Sequence, residues 1–140
     1  MRLAGYFLTS LAVLGTACVG TTNPTIAIAG SGTSSATHLV FTVQPTSTIV
    51  NVAILPPIQV AAQNSFGSAD TTYANGITIA IASNANPGGA TLSGTLTVTP
   101  VRGVATFNNI SINSAGSGYR LLATAPSVAS ATSATFNITP

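Results

Sequence analysis

The residues able to do acid–base, nucleophilic or ionic chemistry are few: Arg2, Cys18, His38, Asp70, Arg102 and Arg120, with no lysine or glutamate among the 140 residues. Glycoside hydrolysis of the usual kind needs two carboxylates, and one aspartate cannot supply them. A Ser-His-Asp set would have to bring His38 and Asp70 to a serine, and no Gly-x-Ser-x-Gly elbow is present. Cys18 and His38 are dispersed and do not make a metal site, and calcium sites rely on several carboxylates. The inventory therefore predicts a non-catalytic chain with no metal and no cofactor. Without the first eighteen residues, Arg102 and Arg120 against Asp70 leave a charge of about +1, too little for a nucleic-acid footprint. His38 reads as a solvated or edge residue.

The N-terminus accounts for two of the six. Arg2 is a minimal positive region, and Leu3 to Leu14 is apolar. That stretch is shorter than the roughly 20 residues that span a bilayer, so residues 1–18 read as a cleaved secretion signal. Cleavage after Ala17 leaves small residues at −3 and −1. The segment Leu14-Gly15-Thr16-Ala17-Cys18 resembles the lipobox of bacterial lipoproteins, although its Leu lies one position early. That resemblance implies diacylation of Cys18, a membrane partner through the acylated cysteine, and export to the bacterial cell envelope or beyond. Residues 19–38, rich in Gly, Ser, Thr and Ala, read as a flexible linker that cannot bury enough apolar surface to offset its conformational entropy.

The elements that must position everything else begin at Leu39. Hydrophobic residues make up 46% of the chain, and Val, Ile and Thr alternate with a period of two, as half-buried strands require. The alternating sets are Leu39/Phe41/Val43, Ile58/Val60/Ala62, Ile77/Ile79/Ile81, Leu96/Val98, Tyr119/Leu121/Ala123 and Ala134/Phe136/Ile138. No segment carries a helical stripe. Turn signals at Asn75-Gly76, Asn86-Pro87-Gly88-Gly89, Arg102-Gly103 and Ala125-Pro126 fall between these sets. Residues 96–100 and 104–107 read as a hairpin with Gly103 at positive φ. Phe107 and the pair Ile110/Ile112 differ in parity, so Asn108-Asn109 is expected to bulge and keep all three inward. About seven short antiparallel strands in 39–140 predict an all-β, immunoglobulin-like two-sheet sandwich. Its predicted core is Phe41, Val60, Ile79, Val98, Phe107, Ile110, Tyr119, Leu121 and Phe136.

The ordered pieces Leu39-Val-Phe-Thr-Val-Gln-Pro45, Pro57-Ile-Gln-Val60, Asn86-Pro-Gly-Gly-Ala-Thr-Leu-Ser-Gly94, Gly103-Val-Ala-Thr-Phe107, Ile110-Ser-Ile112 and Gly116-Ser-Gly-Tyr119 resemble a bacterial immunoglobulin-like (Big-type) surface repeat. The last piece also resembles a tyrosine corner, in which the Tyr119 hydroxyl reaches backbone around residues 112–116 and anchors a loop made flexible by Gly116 and Gly118. The loop after the second strand, Asn64-Ser65-Phe66-Gly67-Ser68, departs from the family by lacking an aspartate. The resemblance implies a surface module with a structural or adhesive role and a surface protein or glycan as partner. Two alternatives stand beside it. One is a carbohydrate- or small-ligand-binding module using the loop aromatics Phe66 and Tyr73. The other is a polymer subunit pairing through exposed strands such as the Ile-rich 77–81, since few charges guard the edges.

Overall fold

Stiff β-branched side chains on alternating faces give an all-β chain. The computed structural model describes residues 35–87 and 89–140. The signal segment 1–18, Cys18 and linker residues 19–34 lie outside the described residues. The strands are β1 (His38–Val43), β2 (Thr48–Ile49), β3 (Ile58–Gln63), β4 (Ile77–Ile81), β5 (Leu92–Ser93) and β6 (Thr97–Val98). They continue with β7 (Val104–Phe107), β8 (Ser111–Ile112), β9 (Gly116–Tyr119), β10 (Leu121–Thr124), β11 (Ala131–Thr132) and β12 (Phe136–Thr139).

Several of these are halves of one longer strand: β7 with β8, β9 with β10, and β11 with β12. The strands make four hydrogen-bonded sheets, which across these short breaks line up as two composite sheets. One holds β1, β3 and β7, with β8 pairing β5; the other holds β2, β12 and β9, continued by β11, β10, β4 and β6. This is the strand order of an immunoglobulin-like sandwich. Among the named strands all pairs are antiparallel except β2 with β12, which is parallel through Ile138↔Thr48 and Thr139↔Ile49; the isolated bridge His38↔Ala129 is parallel too.

Both open sides of the sandwich are bridged by chain that changes sheet. On one side β1 belongs to the first sheet and β2 to the second. Between them the Gln44 side chain accepts the Ala134 N–H at 2.9 Å, and the Ser47 hydroxyl accepts the Asn137 N–H at 2.9 Å. On the other side β5 pairs with β8, and β6, four residues on, pairs with β4.

The inward faces meet in one core. Ile58, Val60, Ile77, Ile79, Phe107, Ile110, Ile112, Tyr119 and Leu121 are fully buried, with Phe41 and Phe136 nearly so. Burying each large side chain contributes about 1.5–3 kcal/mol. Phe107, Ile110 and Ile112 all face inward across the irregular residues 108–110, as the parity change demands. Tyr119 stacks obliquely on Phe136, with centroids 6.1 Å apart and planes at 34°. Its hydroxyl donates to the Ser114 carbonyl at 2.9 Å. Gly118 sits at φ +85° where the register between β9 and β12 shifts, a backbone state that costs other L-residues about 1–2 kcal/mol.

The structure departs from the sequence reading at five places. Val98 is half-buried rather than core, because β6 is a two-residue strand at a sheet edge. The hairpin through Gly103 shrinks to a single Val101↔Val104 bridge, because β6 and β7 lie in different sheets. Ala134 faces out, because β11 and β12 are separated by a break at which Ser133 takes the buried position, 2% exposed. There Ser133 Oγ accepts the Leu121 N–H at 2.9 Å and donates to the Ala134 carbonyl at 2.8 Å. Strand β4, the Ile-rich 77–81, is internal, flanked by β10 and β6. Finally, Ala36 and Thr37, read from sequence as linker, make contacts of the fold: Ala36 is buried, and the Thr37 N–H donates to the Gln63 carbonyl at 2.8 Å.

Tyr119→Phe keeps the ring and strands the Ser114 carbonyl, so we predict a loss of about 1–2 kcal/mol. Tyr119→Ala adds a cavity and should lose roughly 3–5 kcal/mol. Denaturant melts check both; equal stability of Tyr119→Phe and wild type would remove the anchoring role. Ser133→Ala leaves the Leu121 N–H buried without its acceptor and should cost about 1–3 kcal/mol, read by the same melts.

Candidate functional site

Antiparallel pairing places four stretches at one pole of the sandwich. His38 lies opposite Gln63, Ala61 opposite Val104, and Thr124 opposite Thr78. The start of the folded unit, the β3–β4 loop, the turn before β7 and the loop after β10 therefore gather there. Three of the residues singled out from sequence, Phe66, Tyr73 and Gly103, lie at this pole, and Asp70 lies among them.

Asp70 organises the pole. One carboxylate oxygen accepts the Ala36 N–H at 2.9 Å. The other accepts the Thr72 hydroxyl at 2.6 Å and the Thr72 N–H at 2.9 Å. Its backbone N–H donates to the Ala62 carbonyl, and its carbonyl accepts the Tyr73 N–H. The Thr72 hydroxyl, then the Thr72 and Ala36 amides, hold the carboxyl below its ordinary pKa, because each bond favours the charged form. The only carboxylate side chain thus stays ionised at neutral pH and accepts three hydrogen bonds from its own fold. His38, half-buried on β1, directs Nδ1 at the Thr37 hydroxyl, 3.0 Å away.

Gly103 serves the same cluster. Arg102 and Gly103 have φ of 52° and 80°, and the Val101↔Val104 bridge closes a two-residue turn of the type that requires positive φ at both centres. A Cβ on Gly103 would overlap the Asp70 carbonyl. The turn is therefore pressed against the β3–β4 loop, and the Ala62 N–H donates to the Gly103 carbonyl at 2.8 Å.

The two loop aromatics have different settings. Tyr73 is half-buried against the core, and its hydroxyl donates to the Pro126 carbonyl at 2.7 Å. It fastens the β3–β4 loop to the loop after β10. Phe66 is 85% exposed at the tip of its own small loop. Asn64 Oδ1 accepts the Phe66 and Ser68 N–H groups at 2.9 and 3.1 Å, and Gly67 takes φ +85°. Asn64 therefore closes the loop onto itself. A cleft of about 390 Å³ beside Asp70 and Tyr73 is bordered by Ser35, Ala36 and Val128; it marks where the chain enters the sandwich.

A second polar hollow lies on the sheet containing β10. Arg120, Asn84, Ala85, Gly118 and Thr132 line about 470 Å³. An adjoining hollow of about 350 Å³ shares Asn84, Ala85 and Gly118. Sequence reading did not single it out, because its residues come from the loop after β4, from β9 and the break that follows it, and from β11.

No protein-family model matches the chain, and no curated protein does.

Asp70 gives a signed pH prediction. Its folded pKa lies below its unfolded value, so its contribution is complete above about pH 4 and is lost as pH falls through the depressed folded value. Asp70→Asn should melt below wild type at neutral pH, and the gap should close as the solution is acidified below that range. Thermal melts across this window measure it; a gap independent of pH would show that the charge is not what holds Ala36 and Thr72.

Proposed function

We propose that this chain is a non-catalytic, exported immunoglobulin-like module of the bacterial cell envelope, tethered by acylation of Cys18, with a structural or adhesive role. The observation that carries the reading is the state of Asp70. The one carboxylate of the sequence accepts three hydrogen bonds from its own fold, and His38 lies against Thr37. Hydrogen bonds within the fold at both groups support a non-catalytic reading. The bacterial immunoglobulin-like resemblance and the lipobox-like segment supply the location and the tether.

The glycan-binding alternative draws less support, because one of its two aromatics, Tyr73, has its hydroxyl engaged by Pro126. Pairing through strand edges draws less support too, since the second sheet is flanked by two-residue strands, β2 and β6. We predict that the protein, expressed in a bacterium with lipoprotein processing, partitions with membranes and begins at Cys18 bearing acyl mass. Intact-mass spectrometry of the mature N-terminus decides this; a different N-terminus, or an unacylated Cys18, overturns the tether.

A further inference from the structure

Among the described residues, five large hydrophobic side chains are exposed: Ile49, Val52, Leu55, Phe66 and Val101. Phe66 and Val101, the two most exposed at 85% and 76%, sit on two loops joined through one ladder end. Ala62 donates to the Gly103 carbonyl and accepts from the Asp70 N–H, so the turn carrying Val101 and the loop carrying Phe66 flank the same residue of β3. Exposed Arg102 lies between Val101 and Gly103 on that turn. The other three lie at the opposite pole: Thr46 and Leu55 are tied there by a 2.5 Å hydrogen bond, beyond the Val43↔Gln59 pair.

The chain enters the sandwich at the Phe66 pole. Ala36 is held by Asp70, and the Leu39 N–H donates to the Ala129 carbonyl. Thirty-four residues precede Ser35. Sixteen residues separate Cys18 from Ser35. An anchor at Cys18 would therefore join the folded unit at this pole rather than at the opposite one.

We propose that the pole formed by Phe66, Val101 and Arg102 seats on the lipid bilayer, with the two apolar side chains in the interface and the guanidinium among anionic headgroups. The proposal rests on the tethered reading above. Three features suit the pole to this partner. An aromatic and an aliphatic residue stand at loop tips, where apolar groups reach the boundary between headgroups and acyl chains. A cation adjoins them, and a basic group near an anionic leaflet is attracted to it. The loops are also set in advance: Asn64 closes the Phe66 loop and two positive-φ residues fix the Arg102 turn. Little conformational freedom is then lost on contact. Asp70, the one acid of this pole, is turned onto Ala36 and Thr72.

The chain has no tryptophan, so one introduced indole reports alone. Phe66→Trp and, as the control at the opposite pole, Leu55→Trp would each be made in the full chain and isolated from bacterial membranes. They would be reconstituted into vesicles of phosphatidylethanolamine with a minority of phosphatidylglycerol, with and without brominated acyl chains. Phe66→Trp should shift its emission to the blue and lose most of it to the brominated lipid, whereas Leu55→Trp should do neither. Val101→Trp serves as a second probe of the same pole if Phe66→Trp melts well below wild type. If mass spectrometry finds no acyl group, the same chains are fixed to maleimide-lipid vesicles through Cys18, the sole cysteine. Quenching of Phe66→Trp there sustains the seating and discards native acylation. An acylated protein whose Phe66→Trp and Val101→Trp emission is unquenched, or quenched no more than that of Leu55→Trp, overturns the seating and leaves the tether standing.

Discussion

Backbone amides at the open sides of a β-sandwich must find partners, and this chain has almost no charged side chains with which to guard them. Natural sheets commonly protect edges with lysine or inward charges; here the described residues hold two arginines and one aspartate. Closure by the chain itself takes their place. The switch from β1 to β2 carries the first sheet's edge across to β12, and Gln44 and Ser47 fill the gap between them with neutral hydrogen bonds. The switch from β5 to β6 does the same on the other side, where Asn109 Oδ1 accepts the Thr95 N–H and Asn113 Oδ1 the Thr91 N–H. Abundant Asn, Ser, Thr and Gln, which by composition alone look like solvated surface, are the chain's edge-sealing groups.

Where burial follows strict alternation, the fold was legible. Leu39/Phe41, Ile58/Val60, Ile77/Ile79 and Tyr119/Leu121 keep their parity, and the change of parity after Phe107 was readable because large aliphatic residues resume on the other phase. Ser133 was not readable, since a buried serine between threonines and alanines has no hydrophobic signature; only the position of the Leu121 amide explains it. The hairpin through Gly103 misled for a related reason. The turn chemistry is real, but a two-residue turn does not dictate which sheet each arm joins, and β6 finds its partner in β4.

The candidate pole shows the same division. Phe66 and Tyr73 belong to one loop and look alike in sequence, yet one is exposed at a tip and the other clasps Pro126. That difference depends on residues 53 positions apart coming together, which no local pattern reports. Asp70 was visible as the only acid, but its role emerges only when Ala36, Thr72 and the turn at Gly103 are seen converging on it. Ala36 and Thr37 resemble the segment before them in composition, so their contacts, made by tertiary hydrogen bonds, were not legible.

The parallel pairing of β2 with β12 has a mechanical meaning. Ser35 and Pro140 stand at opposite poles, so tension between them draws the first strand segment and the last in opposite directions along their own axes. The bonds from Leu39 to Ala129, and those that join 48–50 to 138–139, would bear that load side by side rather than one after another. Strands pulled in shear must break such bonds together, while strands peeled from one end yield them singly. A module held at one end and pulled at the other would meet force with its first and last strands as a clasp, and the rest of the core would remain shielded until that clasp gave way.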